Sequence, residues 1–245
     1  MANVQLLPWL WATSGIAALV ALTFLIPLSP AGFVVGATCL IISSLLVCLG
    51  LGRRRMTRLG AANAATATRS VLVGLITSLV VTSFTQPIPA AVLVELTVVA
   101  LLLDAVDGWL ARRFHCDTEL GARFDMEVDA YLMLVLSAFD ARTIGWWVLA
   151  IGLMRYAFVA VGWVVPWMRR QLPPRYWRKV VTAVSGIAST FGATGWLPLV
   201  AVVTLVAALL LLTESFGRDV VWLFRRRAVR PAGQSPVPKR ASSAA

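Results

Sequence analysis

Charged residues are scarce in this 245-residue chain, at 13% of the sequence, whereas 59% of the residues are hydrophobic. An average soluble domain is about half apolar and about a quarter charged, so this balance excludes a soluble globular enzyme. Cysteine is scarce as well, and Cys39, Cys48 and Cys116 form neither a disulfide framework nor a zinc-binding pattern. No charge precedes Arg53, so the basic front region of a secretory signal peptide is missing. These absences favour an integral membrane protein.

Long apolar runs take the place of the missing charge, and a membrane-crossing helix needs about 20 such residues. Turn residues and charged loops divide the sequence into eight predicted spans: 6–28, 32–52, a third ending near 84, 90–104, 121–139, 145–167, 180–194 and 197–212. No stretch shows the period-two alternation of a membrane barrel, so the predicted fold is all-α. No internal repeat indicates an inverted-repeat transporter.

The basic residues lie between these apolar runs, which argues against a nucleic-acid partner and for membrane lipids. When the loops are assigned alternately to the two sides of the membrane, 20 of the 22 Lys and Arg residues fall on one face. Cytoplasmic loops carry such an excess of positive charge. We therefore expect a multi-pass protein of a cell membrane, of bacterial type, with both termini in the cytoplasm.

Acidic residues are concentrated at the cytoplasmic ends of two neighbouring spans, where seven of the eleven fall between Asp104 and Asp129. At 100° per residue, Asp104 and Asp107 share one face of the fourth helix, and Asp125 and Asp129 share one face of the fifth. Helix capping could account for Asp125 alone, but not for aspartates inside the end of an apolar helix. Such a set suits Mg²⁺ or Mn²⁺, and two ions could clamp a diphosphate for displacement at phosphorus.

Small residues lie on the same two faces, at Gly108, Ala111 and Gly121. A bulky side chain at these positions would fill the space that a nucleotide needs. Arg112 is placed to neutralise phosphate oxygens.

The stretch DAVDGWLARRFHCDTELGARFDMEVD, residues 104–129, resembles the signature of the CDP-alcohol phosphatidyltransferase family, DxxDGxxARx(8)GxxxDxxxD, at every position. The resemblance implies a six-helix catalytic membrane domain, residues 53–217. An additional two-helix hairpin, residues 1–52, precedes it, and a basic tail, residues 218–245, follows it and is interpreted as disordered. The resemblance also implies a homodimer that transfers a phospho-alcohol group from a CDP-alcohol to an acceptor hydroxyl and releases CMP.

The resemblance assigns roles to individual positions. Asp104 and Asp125 match positions that bridge two divalent ions, while Asp107 and Asp129 each match a ligand of one ion. Asp129 is also the expected general base, taking the proton of the attacking hydroxyl.

Positions expected to line the CDP site come from two stretches. Within the signature they are Gly108, Ala111, Arg112, Thr118 and Gly121. Upstream, NAATATR resembles the family's NxxTxxR, which adds Asn63, Thr66 and Arg69.

The acceptor is indicated by a weaker resemblance to phosphatidylglycerophosphate synthases. It rests on Arg155 in LMRYAF and on Lys179 and Thr182 in RKVVT, although Tyr156 stands where that branch has Glu. These cations would suit a polyol phosphate such as glycerol 3-phosphate, with CDP-diacylglycerol as the donor. A structural ion pair would equally account for Arg155, and the positive-inside bias would account for Lys179.

Three other functions are compatible with the sequence. An aminoalcohol phosphotransferase would use CDP-choline or CDP-ethanolamine with diacylglycerol. A divalent-cation transporter would use the same carboxylates, although transporter sites usually lie near the bilayer midplane. A catalytically silent scaffold would keep the fold alone.

Overall fold

The computed structural model of the chain describes residues 7–54, 61–114, 119–169 and 176–226. Within these residues the chain forms α-helices and no β-strand, which confirms the predicted all-α class. The helices are α1 (Leu7–Leu25), α2 (Pro30–Arg54), α3 (Ala61–Ser83), α4 (Ala90–Phe114), α5 (Glu119–Thr143), α6 (Leu149–Val164), α7 (Tyr176–Thr194) and α8 (Pro198–Arg225). Two short 3-10 helices, Trp146–Val148 and Pro166–Arg169, flank α6.

Five of the described helices, α1, α2, α3, α6 and α8, are long and apolar enough to cross a membrane by length and composition. The other three long helices, α4, α5 and α7, carry more charged residues, among them Asp104, Asp125 and Asp129. Because bilayer-spanning backbone must satisfy its hydrogen bonds internally, a bundle of apolar helices is the expected architecture of an integral membrane protein.

Helix α3 is the central element of the bundle. It contacts α1, α2, α4 and α5, and most of its apolar span is buried inside the protein. Leu79 and Ile76 of α3 are fully buried in the main hydrophobic cluster, together with Leu93 of α4 and Leu136 of α5. The position of α3 therefore determines where the residues of its first turns, including Arg69, are presented.

The N-terminal hairpin, α1 and α2, packs directly on α3 through small and hydroxylated residues. The backbone N–H of Ser29 donates to Oγ1 of Thr82 at 3.1 Å. A Cβ atom at Gly32 would lie 2.6 Å from the carbonyl oxygen of Ser78, so only glycine allows this approach. Close helix contacts through small residues are typical of membrane proteins.

Leu40, further along α2, packs in the same interface between the hairpin and α3. Its side chain is 1% exposed, and it fills the space left by two glycines. A Cβ atom added to Gly74 of α3 would lie 2.6 Å from Cδ2 of Leu40. One added to Gly15 of α1 would lie 3.0 Å from the same atom. Leu40 of α2 thus packs against both α1 and α3, and this three-helix packing is called the interlocked contact below.

Two predicted boundaries are wrong. The fifth predicted span ends at 139, which leaves Asp140 in the turn before the next span, but α5 continues to Thr143. Asp140 is fully buried against Gly192 of α7. Residues 218–225, predicted to belong to the disordered tail, are the last turns of α8. Asp219, which is buried, pairs with Arg178 of α7 at 3.4 Å and anchors this extension. Residues 227–245 lie outside the described part of the chain, and the division at residues 52 and 217 stays a prediction.

We expect Leu40→Ala to lower the free energy of unfolding by about 2–5 kcal/mol, because it removes a buried side chain and leaves a cavity between three helices. Thermal or denaturant unfolding in detergent micelles measures the loss. Leu45→Ala is the matched control, since Leu45 lies on the same helix and is 43% exposed. Equal losses in both variants would contradict the interlocked contact.

Candidate active site

Three carboxylates converge between the second half of α4 and the first half of α5, and α4 continues to Phe114 where the predicted span ended at 104. Asp104 lies on α4, and Asp125 and Asp129 lie on α5. Each can offer one oxygen such that all three oxygens lie within 4.8 Å of one another. Asp125 and Asp129 are four residues apart and therefore share a helix face. These three residues are called the carboxylate cluster below.

Arg69 of α3 lies at the centre of the carboxylate cluster. Its side chain is 1% exposed, and Nη2 lies 2.6 Å from Oδ1 of Asp125 and 2.9 Å from Oδ1 of Asp129. Nη1 pairs with Oδ1 of Asp104. The sequence predicts a nucleotide contact for Arg69, but here its guanidinium binds the carboxylates.

The cluster remains accessible and negatively charged. The side chains of Asp104, Asp125 and Asp129 are 40%, 34% and 31% exposed, so a ligand can reach them. One guanidinium faces three carboxylates, which leaves negative charge in excess when all three are ionised. Carboxylate oxygens at this spacing fit a hard divalent cation, and the residues present therefore suit Mg²⁺ or Mn²⁺.

The remaining predicted nucleotide and metal positions are only partly described. Gly108 and Gly121 lie on α4 and α5 in the segments that carry the cluster, and Thr66 is buried one turn before Arg69. Thr118 lies outside the described residues. The helices that include the following residues are described, but their side chains are not: Asn63, Asp107, Ala111 and Arg112.

The three predicted acceptor residues lie on α6 and α7. Arg155 of α6 forms an ion pair with Glu127 of α5. Lys179 and Thr182 of α7 are exposed, and Thr182 donates its hydroxyl hydrogen to the carbonyl oxygen of Arg178 at 3.0 Å. Among the described residues, neither Lys179 nor Thr182 makes a hydrogen bond or ion pair with the carboxylate cluster.

Glu127 is the residue that sequence reasoning missed. It lies two residues from both Asp125 and Asp129, so at 100° per residue it is on roughly the opposite side of α5. The available signal is Arg155, a cation inside an apolar run that needs a nearby carboxylate.

A family model described as CDP-alcohol phosphatidyltransferase matches residues 59–214, which include the whole carboxylate cluster and Arg69. It confirms the resemblance carried by residues 104–129 and does not distinguish a branch of the family. No curated protein and no solved structure matches the chain. Helices α1 and α2 lie outside the matched residues.

We expect Arg69→Gln to destabilise the metal-free protein, because three carboxylates lose their shared cation. The cost should be roughly 1–3 kcal/mol, less than for a fully buried pair since the carboxylates are partly exposed. Mn²⁺ should recover much of this loss by supplying positive charge, so its effect on the melting temperature should be larger than in the unaltered protein.

Thermal unfolding in detergent with EDTA or with MnCl₂ measures both effects. Arg113→Gln is the control, because Arg113 is an exposed arginine of α4. If Mn²⁺ raises the melting temperature of Arg69→Gln and of the unaltered protein by the same amount, Arg69 and the ion do not compensate the same negative charge.

Proposed function

This chain belongs to the CDP-alcohol phosphatidyltransferase family, and on that premise we propose that it transfers a phosphatidyl group from CDP-diacylglycerol to a polyol or polyol phosphate such as glycerol 3-phosphate. Enzymes of this family transfer substituted phosphate groups within membranes, and CMP is the second product. The observation that carries the proposal is the convergence of Asp104 of α4 with Asp125 and Asp129 of α5. Membership of an enzyme family argues against a cation transporter.

The carboxylates have two proposed tasks. Asp104, Asp107, Asp125 and Asp129 would hold two divalent ions. When bound, Mg²⁺ or Mn²⁺ would supply positive charge that stabilises the negative charge developing on the diphosphate oxygens. Arg69 keeps the three described carboxylates together before the ligands arrive, through its contacts with Asp125 and Asp129 at 2.6 and 2.9 Å.

Asp129 is the proposed general base. It takes the proton from the acceptor hydroxyl, whose oxygen then bonds to the phosphorus that bears the diacylglycerol. The bond from that phosphorus to the bridging oxygen breaks, and CMP leaves with the electron pair. Asp129 suits this role because its carboxylate is held by Arg69 while 31% of its side chain stays exposed.

The rest of the assignment concerns binding and location. Glycine at 108 and 121 would leave room for the nucleotide, with Asn63, Thr66, Ala111, Arg112 and Thr118 around it. We also propose that the site opens to the cytoplasmic side of a bacterial cell membrane and that the enzyme is a homodimer. The charge distribution supports the cytoplasmic opening, and the family resemblance supports the homodimer.

A CMP-release assay with varied donors and acceptors tests the function. Purified protein in mixed micelles is supplied with Mg²⁺ or Mn²⁺, labelled CDP-diacylglycerol and a panel of polyols and polyol phosphates. CMP together with a labelled phosphatidyl product supports the proposal. Release only from CDP-choline or CDP-ethanolamine with diacylglycerol favours the aminoalcohol alternative. No release with any pair would indicate a catalytically silent protein.

We expect Asp129→Asn to reduce the rate of CMP release by a factor of about 10² to 10⁴, because the acceptor loses its general base. CDP binding, measured by calorimetry, should change far less, since Asp104 and Asp125 remain. Asp140→Asn is the matched control, because Asp140 is a buried aspartate of the same helix that lies against Gly192 of α7. Retained turnover in Asp129→Asn would contradict the role as base.

A further inference from the structure

A cavity of about 520 Å³ lies between α6 and the 3-10 helix Pro166–Arg169. Its volume is within the range of small-molecule sites, roughly 300–1,000 Å³. Gly162 of α6 is buried, yet a Cβ atom added to it would meet no atom within 4 Å, so open space lies over this glycine. Of the described residues, the cavity is lined by Phe158, Val159, Gly162, Trp163, Met168 and Arg169. Its described walls are therefore apolar apart from one arginine.

The cavity lies where the apolar surface of α6 ends. Val159 is 42% exposed and Trp163 is 73% exposed, so other described helices do not cover this side of α6. The apolar span of α6 ends at Val164, and Arg169 follows in the next 3-10 helix. An exposed tryptophan near a basic residue at the end of an apolar span is typical of the boundary between hydrocarbon and lipid headgroups. The cavity therefore lies at the depth of the headgroups.

Arg169 is held at the cavity by the end of α6. Its Nε donates to the carbonyl oxygen of Gly162 at 2.8 Å, and its Nη2 donates to that of Trp163 at 2.6 Å. The last carbonyl groups of a helix have no partner within the helix, so Arg169 satisfies two of them. A guanidinium carries five N–H donors, and these contacts use two. Because Arg169 is exposed, its remaining donors can bind an anion while it still holds the helix end.

Helix α8 packs against both walls of the cavity. The rings of Phe158 and Phe216 lie 5.4 Å apart, and Trp167 of the 3-10 helix meets Phe224 edge-on at 5.8 Å. Arg225, next to Phe224 in the chain, is exposed and adds a second cation at this end of α8. An apolar cavity beside these cations is complementary to a molecule that has an apolar chain and a negatively charged headgroup.

We propose that this cavity binds an anionic phospholipid of the surrounding membrane, with the lipid phosphate on Arg169 and part of an acyl chain over Gly162. Basic pockets beside membrane helices bind anionic headgroups. A zwitterionic lipid gains less from Arg169, because its headgroup also carries a positive charge. The lining residues do not include the carboxylate cluster. The inference therefore goes beyond the proposed transfer reaction and does not rest on it.

Thermal unfolding in detergent micelles with EDTA, with phosphatidylglycerol or phosphatidylcholine added, tests the inference. Phosphatidylglycerol at tenfold its dissociation constant should raise the melting temperature of the unaltered protein by roughly 3–6 °C, and phosphatidylcholine should raise it far less. Gly162→Leu should abolish most of this shift, because leucine fills the cavity from a position where a Cβ atom meets no contact. Native mass spectrometry of the same samples measures the bound lipid directly.

Arg169→Gln should weaken the binding of phosphatidylglycerol roughly fivefold, because a positive charge beside the headgroup is lost. The same substitution removes the contacts with the end of α6 and lowers the melting temperature without lipid. The quantity compared is therefore the lipid-dependent shift of each variant.

Gly217→Leu is the matched control, because a Cβ atom at Gly217 of α8 also meets nothing within 4 Å, while Gly217 does not line the cavity. This variant and Arg113→Gln should keep the full lipid-dependent shift. Equal shifts with the two lipids, or an undiminished shift in Gly162→Leu, overturn the inference. A shift with CDP-diacylglycerol but none with phosphatidylglycerol also overturns it, since the cavity would then belong to the donor. None of these measurements depends on CMP release, so they leave the proposed reaction to its own test.

Discussion

The contact between one buried guanidinium and three carboxylates organises the candidate site between α3, α4 and α5. Asp104, Asp125 and Asp129 come from two helices and would repel one another in a medium that screens charge poorly. Arg69, from a third helix, lies against all three and offsets part of that repulsion. The carboxylates are therefore held together by a residue of the protein itself, and the remaining negative charge suits a divalent cation.

Arg69 can play this role only if α3 is held firmly. The hairpin contributes to this through residues that the family match does not include. Leu40 of α2 fills the space that Gly74 leaves on α3, and Ser29 is hydrogen-bonded to Thr82 near the other end of that helix. Tight packing through small residues lets helices associate in a membrane without a hydrophobic driving force. The hairpin thus stabilises the helix that presents Arg69.

Much of the fold was predictable, because long apolar runs and the turns between them are local properties of a sequence. All eight predicted spans correspond to helices of the described residues, and five of these helices are long and apolar enough to cross a membrane. The errors fall where a tertiary contact extends a helix through polar residues. Asp140 looked like a turn residue, yet α5 continues past it because its side chain is buried against Gly192. Arg218 looked like the start of a tail, yet the pair between Asp219 and Arg178 keeps α8 ordered to Arg225.

The sequence by itself determined that the chain is a helical membrane protein and that aspartates at fixed spacings share two helix faces, because both follow from hydropathy and from 3.6 residues per turn. Only the tertiary structure decided what those faces meet. Arg69 is 35 residues from Asp104 in the chain, and Arg155 is 28 residues from Glu127. No local pattern records which cation reaches which carboxylate, because that choice depends on how α3, α4, α5 and α6 pack against one another.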